Sequence, residues 1–527
     1  MGEPEERSPM FTKPIPRRTS PTLSQPVTSE LQQLTKSQQP EKGWSFYLIL
    51  AGVVTTVGLS LPVGYNIGVV NTPASVIKQF CNESFVSRYN VALDPHWLNF
   101  LWSTVVSIFI VGGCTGSILG AILANKLGRK MATVVTSLLS LVGAVLFLCC
   151  EKANSVEMLL LGRLLVGLSG GLTTSIVPMY LAELAPLKLT GAMGVACPMG
   201  VNVGVLVGQV MGLKFILGKD DQWPYLLSVY ALLVILCLPV LFTLPESPKY
   251  LFVVKRNEES AFNELTRLRG ASSSLLQEEM ELLKEEVRSE EAASLSGEEA
   301  WSMLRVAKSP QLRLPLLLTC AMQAGQQTSG INAVFYYSQT IFSQAGLSPA
   351  NAQYATIGCG AINVATAAAM LRLLPHCGRR RLLLGSVLSA TVLLAALAAC
   401  MLSMSVVSWM PYVCMVAVFG YVLAYGFGLG PIPYFIASEM FEVGPRPAGM
   451  AWGSLANWAG NFLVGMCFPT LRDTIGAFSF LIFAVFTAAL FALQKMYFPE
   501  TRGKTPRQVA QLCSRGFSSR PRPADMS

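Results

Sequence analysis

Long apolar segments, separated by short polar ones, dominate the pattern of residues along this chain. Each approaches the roughly 20 residues that an α-helix needs to cross the hydrocarbon core of a bilayer. Six of these segments precede a polar interval at residues 244–310, and six follow it. In chain order, spans 1 to 12 are predicted at residues 46–67, 97–121, 131–150, 157–181, 191–213, 224–243, 311–341, 351–374, 381–403, 411–436, 447–471 and 475–498. The pattern predicts an all-α polytopic membrane protein with twelve transmembrane helices.

Three short charged phrases recur in the same order in the two sets of spans. The pairs are Gly128-Arg129-Lys130 with Gly378-Arg379-Arg380, Glu183 with Glu439, and Pro245-Glu246 with Pro499-Glu500, at offsets of 250, 256 and 254 residues. Short basic phrases recur by chance in long sequences, but three pairs in order at a nearly constant offset make chance improbable. A membrane protein built from two similar halves is the architecture that secondary transporters use. We therefore expect two pseudo-symmetric halves of six helices each.

Composition and charge agree with this class of protein. Hydrophobic residues make up 52% of the chain and charged residues 13%, whereas soluble domains carry about 25% charged residues. The net charge of +9 arises from basic residues in alternate loops, such as Lys126 and Arg381, rather than from a nucleic-acid-binding surface. The positive-inside rule therefore places both termini and the 244–310 interval in the cytoplasm.

These patterns divide the chain into five parts. Residues 1–43 lack an apolar run and are predicted to form a disordered cytoplasmic tail rather than a cleavable signal peptide. The N-terminal six-helix half is expected at 44–243, a cytoplasmic helical linker at 244–310, the C-terminal half at 311–498 and a cytoplasmic tail at 499–527.

Within the linker, apolar residues recur at helical spacing. The two sets are Phe262, Leu265 and Leu268, and then Leu276, Met280, Leu283 and Val287. The spacing predicts short amphipathic helices that lie under the membrane portion. A flexible charged linker is the alternative.

The residue patterns of a phosphate-binding loop and of a metal site are missing from this sequence. The phrase nearest to a phosphate-binding loop, Gly218-Lys219-Asp220, has no Ser or Thr after the lysine. Most cysteines lie inside apolar spans, and His96 and His376 fall on opposite sides of the predicted membrane, so no metal site is expected. No cofactor is implied, no nucleic acid is an expected partner, and the chain is not expected to be an enzyme. The first predicted outside loop contains Asn82-Glu83-Ser84, an N-glycosylation pattern at Asn82.

Amide side chains are plentiful inside the predicted spans. They are Asn66, Gln209, Gln323, Gln326, Gln327, Asn332, Asn363, Asn457 and Asn461. Amides donate and accept hydrogen bonds without carrying charge, which matches the demands of a neutral polyhydroxyl ligand. Aromatic residues, including Phe335, Tyr336, Tyr337, Tyr434, Trp452 and Trp458, could supply flat faces for a sugar ring. The alternative is that some of the amides only bond neighbouring helices.

The run QQTSGINAVFYY at residues 326–337 closely resembles the signature of the facilitative glucose transporters, the sugar-porter branch of the major facilitator superfamily. Similar phrases of that family are GYN at 64–66, LGR at 161–163, PMY at 178–180, GQV at 208–210, GPIP at 430–433, GPRP at 444–447 and PET at 499–501. The resemblance covers residues 44–508. It implies the major facilitator fold and a sugar site at the midplane that opens to each side in turn. The substrate-binding residues that it implies are Gln209, Gln326, Gln327, Asn332, Asn363, Tyr434 and Asn457.

The repeated phrases supply a candidate cytoplasmic gate. Its residues are Arg129, Lys130, Glu183, Glu246, Arg379, Arg380, Glu439, Arg446 and Glu500. We expect these acids and bases to meet when the two halves close on the inside, and so to be in contact only in the outward-facing state. Thr190 and the pair Pro375-His376 replace charged residues of the family pattern on this side.

The function expected from the resemblance is facilitative hexose uniport, with glucose the expected hexose. Proton-coupled relatives carry an aspartate in the GYN phrase, where this chain has Asn66, which cannot titrate. A proton–sugar symporter and a transporter-like sugar sensor are the alternatives. The expected partners are a small-molecule hexose and a lipid bilayer, in the plasma membrane. Tyr434 replaces a family tryptophan, and Gln323-Ala324-Gly325 replaces a phrase associated with the exclusion of fructose, so fructose is a possible substrate.

Overall fold

A computed structural model describes residues 44–90, 92–186, 189–269, 274–295, 302–374, 376–403, 409–442, 444–504, 506–513 and 516–518. The chain divides into a first unit, Met1–Trp44, and a second, Ser45–Ser527. The tail predicted at residues 1–43 lies outside the described residues.

The described part of the chain contains the twelve predicted membrane spans, all of them helical and arranged as six before the linker and six after it. Spans 1 to 6 are Phe46–Asn71, Pro95–Leu127, Arg129–Cys150, Val156–Leu184, Ala196–Met211 and Trp223–Leu241. Spans 7 to 12 are Arg313–Thr328 with Ile331–Gln344, Pro349–Leu373, Arg379–Leu402, Met410–Gly426 with Ile432–Met440, Arg446–Ile475 and Phe478–Tyr497. Eight of the spans are long and apolar enough to cross a membrane as single helices, by length and composition. The predicted fold class is confirmed.

Two spans of the second half are broken, and local sequence explains both breaks. Span 7, predicted as one helix, stops at Thr328 and restarts at Ile331, with Gly330 at φ +87° between the segments. A Cβ atom at residue 330 would also lie 2.5 Å from the Phe483 ring, so glycine alone fits there. Span 10 breaks before Ile432, where Pro431 and Pro433 lack the N–H groups that a continuous helix needs.

Small residues bring the spans close together. Gly204 of span 5 faces the backbone of Leu61, and Gly64 of span 1 faces the backbone of Val201, so these two spans pack backbone to backbone. Between the halves, the most extensive contacts join span 2 to span 11 and span 5 to span 8. We call the end of the bundle that carries Arg129 and Arg379 the basic end.

The linker contains the predicted helices, at Glu258–Arg269, Ser274–Leu295 and Met303–Lys308. Leu265, Leu276 and Met280 pack together in one apolar cluster. Phe262, predicted to share that face, is instead 45% exposed. A further helix, Pro506–Cys513, buries Val509 and Cys513 against the bundle, which the sequence pattern did not predict.

Candidate functional site

A connected cluster of amides lies in the second half, and Gln326 is its centre. The Gln326 side chain is fully buried, and all of its hydrogen-bonding capacity is used. Its Nε2 donates to the carbonyl oxygens of Leu429 (3.2 Å) and Gly430 (2.6 Å). Its Oε1 accepts from Gln327 Nε2 (3.3 Å) and Asn457 Nδ2 (2.6 Å). Gln326 therefore joins span 7 to the break in span 10 and to span 11.

The cluster extends from Gln327 in two directions. Gln327 Nε2 donates to Asn457 Oδ1 at 3.1 Å, and Gln327 Oε1 accepts from Asn332 Nδ2 at 2.5 Å. Gln323 also takes part, since its Oε1 accepts from Asn457 Nδ2 at 2.9 Å. The structure thus brings together four of the predicted site residues, namely Gln326, Gln327, Asn332 and Asn457.

One proline and one glycine position this cluster. Because Pro433 has no N–H, the carbonyl of Leu429 lacks its usual partner one turn later in the helix and accepts from Gln326 instead. Gln323 Nε2 donates to the carbonyl of Pro433 at 2.8 Å. The break at Gly330 lets Asn332 start a new helical segment and reach back to Gln327.

Gln209 and Asn363 lie apart from this cluster, where span 5 meets span 8. Gln209 is 1% exposed, neither atom of its amide has a hydrogen-bond partner, and its side chain presses against Gly360. Asn363 Nδ2 donates to Asn202 Oδ1 at 3.1 Å. A buried amide without a hydrogen-bond partner is energetically costly. A hydrogen bond from a ligand, or from a neighbouring helix that moves toward Gln209, would therefore be favourable.

Among the predicted aromatic residues, Tyr434 is the exposed one. It is 59% exposed, whereas Phe335, Tyr336 and Tyr337 belong to the packed core. The other two are engaged through their indole N–H groups, since Trp452 donates to Met303 O and Trp458 to Ser117 Oγ, both at 2.9 Å.

The phrase Gln323-Ala324-Gly325, which replaces the one associated with the exclusion of fructose, is packed against span 12 at Gly325. A Cβ atom at residue 325 would lie 2.5 Å from Leu490 Cδ2 of span 12. Gly325 therefore serves helix packing and does not widen the site.

Arg163 is buried in the first half without a carboxylate beside it among the described residues. Its Nη1 donates to Asn66 O at 3.0 Å and its Nε to Val105 O at 3.2 Å, and its guanidinium lies 4.7 Å from the Phe109 ring centroid. The Asn66 side chain donates to Pro62 O at 2.9 Å. No group that could exchange a proton at neutral pH is in contact with Arg163 in this part of the chain.

At the basic end, the first of the repeated phrases forms a cluster within the N-terminal half. Arg129 donates from Nε and Nη2 to the two carboxylate oxygens of Glu183, at 2.8 and 2.9 Å. Ser247 Oγ donates to the same carboxylate at 2.5 Å. Glu246 accepts from the backbone N–H groups of Arg129 (3.0 Å) and Lys130 (3.2 Å), where a carboxylate complements the start of span 3. Burial raises the pKa of Glu246, and these backbone hydrogen bonds oppose the rise.

The same cluster recurs in the C-terminal half. Arg379 donates from Nε and Nη2 to Glu439, both at 3.3 Å, and Thr501 Oγ1 donates to the same carboxylate at 2.5 Å. Glu500 accepts from the backbone N–H groups of Arg379 (2.8 Å) and Arg380 (3.1 Å) at the start of span 9. The repeat seen in the sequence is therefore a repeat of contacts.

These contacts correct the expected gate. The pairs Arg129–Glu183 and Arg379–Glu439 each lie within one half, so they do not require the halves to meet. Arg380 donates to the carbonyls of Gln494 and Lys495 at the end of span 12, and Arg446 Nε donates to Phe441 O at 3.4 Å. Thr190 bonds Pro186 O and His376 lies against Arg372 O, whereas Pro375 lies outside the described residues.

The predicted glycosylation site lies on the helix Ala74–Tyr89. Asn82 Oδ1 accepts from Leu93 N at 3.0 Å, and Ser84 is buried and donates to Asn154 O at 2.8 Å. Modification of Asn82 stays a prediction.

Sequence reasoning missed some of the polar contacts. Asn202 was not singled out, although it precedes Gln209 by seven residues and therefore shares its helix face. Ser247 and Thr501 occupy equivalent positions in the repeated PES and PET phrases, which is the signal that could have found them.

Comparisons with known proteins agree with this geometry. The sequence pattern of the family described as "Sugar (and other) transporter" matches residues 51–512. The facilitated glucose transporter member 1 of solute carrier family 2 from Gallus gallus is 39% identical over 473 residues, which cover 87% of this chain and 92% of that protein. Member 3 from Homo sapiens is 38% identical over 484 residues, covering 91% of this chain and 94% of that protein.

Solved structures of the xylose transporter XylE from E. coli share the fold. An inward open conformation has a TM-score of 0.72 at 22% identity, and the match covers 88% of this chain and 99% of that one. The proton:xylose symporter XylE bound to 6-bromo-6-deoxy-D-glucose has a TM-score of 0.69 with the same identity and coverage. At this level of identity, the likeness bears on the fold alone.

Proposed function

The chain belongs to the sugar transporter family, within solute carrier family 2 of the major facilitator superfamily, and we propose that it is a facilitative hexose uniporter that works by alternating access. Because its relatives are facilitated glucose transporters, glucose is the expected hexose. The family is not an enzyme family, and no bond is made or broken in this function.

The observation that carries the proposal is the connected amide cluster around Gln326. The amides carry donors and acceptors but no charge, as a sugar hydroxyl requires, and on binding they would exchange bonds to one another for bonds to the sugar. We propose that Gln326, Gln327, Asn332 and Asn457 bind hexose from the second half, and that Asn363 of span 8 and Tyr434 of span 10 contribute further contacts. Gln209 is the contact that we assign to the first half.

Uniport follows from the surroundings of Arg163. Proton coupling needs a group in the membrane that gains and loses a proton during the cycle. Arg163 contacts the backbone carbonyls of Val105 and Asn66 and the ring of Phe109, and the Asn66 side chain is an amide that bonds Pro62 O. Sugar therefore moves down its own gradient.

The two similar halves, residues 44–243 and 311–498, are proposed to rock about this site. The linker at 244–310 and the tails at 1–43 and 499–527 are proposed to lie in the cytoplasm, with the protein in the plasma membrane. The clusters around Glu183 and Glu439 hold the ends of spans within each half, so that each half moves as one body.

Uptake by purified protein in proteoliposomes tests the proposal. We expect D-glucose to enter much faster than L-glucose, to stop at its outside concentration, and to be unaffected by a protonophore. Accumulation above the outside concentration that a protonophore abolishes would establish symport instead. Absence of stereospecific uptake by folded protein would overturn transport and favour a sugar sensor.

A further inference from the structure

Span 5 and span 8 meet along an antiparallel seam that joins the two halves. From the end opposite the basic end inward, Gln353 Nε2 donates to Gly212 O at 2.6 Å, and then Gly360 packs on the Gln209 amide. The innermost polar contact of this seam among the described residues is the hydrogen bond between Asn363 and Asn202.

Asn202 lies at the depth of the amide cluster. It is twelve residues beyond Thr190 at the basic end, while Gln326 is thirteen residues beyond Arg313 and Asn457 eleven beyond Arg446. At about 1.5 Å per helical residue, all three lie roughly 17–20 Å from the basic end. Asn202 therefore faces the other half at the level where the proposed hexose site lies.

The amide pair is only half used. Asn363 contributes one N–H and Asn202 one carbonyl oxygen to the bond between them. The amino group of Asn202 and the carbonyl oxygen of Asn363 make no hydrogen bond among the described residues. Asn202 is half-buried, and Pro198, one turn closer to the basic end on the same face, is exposed. Protein therefore does not fully cover this face of span 5 on the side of the pair toward the basic end.

A free donor beside a free acceptor complements a single hydroxyl group, which can accept from one and donate to the other. Resting on the proposed function, we propose that Asn202 is a sugar-contacting residue of the first half, which together with Asn363 holds one hydroxyl of the hexose across the seam. Asn202 then sets specificity for a sugar that bears a hydroxyl at that ring position. It also ties sugar binding to the approach of span 5 to span 8.

A series of monodeoxy-glucose analogues, used as competitors of labelled D-glucose uptake, tests the assignment. In the native protein, the analogue that lacks the contacting hydroxyl should compete about threefold to tenfold more weakly than glucose, the worth of one neutral hydrogen bond. In Asn202→Ala this penalty should disappear for that analogue and persist for the others. Asn363→Ala should abolish the penalty for the same analogue, so the proposal remains testable if one variant does not fold.

Gln353→Ala is the matched control, because it also removes a hydrogen bond between spans 5 and 8 but lies away from the amide cluster. It should leave every analogue penalty unchanged. An analogue pattern in Asn202→Ala that is the same as in the native protein, with glucose uptake present, would overturn the role of Asn202 and leave the proposed function standing. Failure of the native protein to transport any hexose would overturn the proposed function itself.

Discussion

Replacing Gln326 with leucine removes the most connected side chain of the amide cluster at nearly constant volume. The substitution deletes two hydrogen bonds to the break in span 10 and two to Gln327 and Asn457. The Leu429 carbonyl then has no substitute donor one turn later, because residue 433 is proline. A typical hydrogen bond is worth about 0.5–1.5 kcal/mol, and an orphaned buried partner costs about 1–3 kcal/mol. Since the bonds share partners and are not additive, we expect a loss of about 2–4 kcal/mol.

Two measurements on purified Gln326→Leu check this magnitude. The midpoint of thermal unfolding in detergent should fall by several degrees, and half-inhibition of labelled uptake by glucose should need about tenfold more sugar or higher. Gln344→Leu, the same substitution at the exposed far end of span 7, is the control and should change neither quantity. A native unfolding midpoint together with native glucose competition in Gln326→Leu would refute the central place given to this amide.

Four further expectations follow from the described contacts. Asn66→Asp introduces a buried carboxylate at a residue whose backbone carbonyl bonds the buried Arg163, and it should make uptake depend on pH where native uptake does not, as measured by initial rates across a pH series. Glu183→Gln should lower the unfolding midpoint more than Glu439→Gln, because its ion pair is shorter and less exposed; equal effects would contradict this. Asn82→Gln should abolish a glycosidase-sensitive shift in electrophoretic mobility, and a native protein without that shift would disprove modification. Tyr434→Trp, at an exposed position, should weaken competition by fructose more than competition by glucose; parallel changes would argue against a role in selectivity.

The fold could be predicted because its signals are local and repeated. The lengths of the apolar segments alone located most ends of the twelve spans to within a few residues. The duplicated phrases predicted two halves. The break in span 7 was missed, since hydropathy does not register one glycine at positive φ. The helical periodicity of the linker also did not indicate that Phe262 would be exposed. Periodicity identifies the apolar face of a helix, but it does not show how much of that face other residues cover.

The candidate site was only partly predictable. Amides in apolar spans are costly without partners, so their presence signals contacts, but the sequence does not say which partner each one has. Gln326, Gln327 and Asn457 proved to bond one another, whereas Gln209 has no hydrogen-bond partner among the described residues. Asn202 was not recognised from the sequence, because its hydrogen-bond partner Asn363 lies on a helix of the other half, 161 residues away along the chain.

The distribution of contacts between the halves bears on how the carrier cycles. Among the described residues, five hydrogen bonds join the halves, and all of them lie at the end opposite the basic end or near the middle of the spans: Asn71–Ser338, Asn99–Asp473, Gln353–Gly212, Asn363–Asn202 and Trp458–Ser117. The described ion pairs of the basic end stay within their own halves. The described hydrogen bonds therefore hold the halves together at the end opposite the basic end and near the middle of the spans. Four of the five bonds are between neutral groups, each worth about 0.5–1.5 kcal/mol, and the fifth joins the Asn99 amide to the Asp473 carboxylate, so none of them is an ion pair and none needs a proton transfer to break. A cycle built from exchanges of neutral hydrogen bonds can be driven by sugar binding alone, which is what uniport requires.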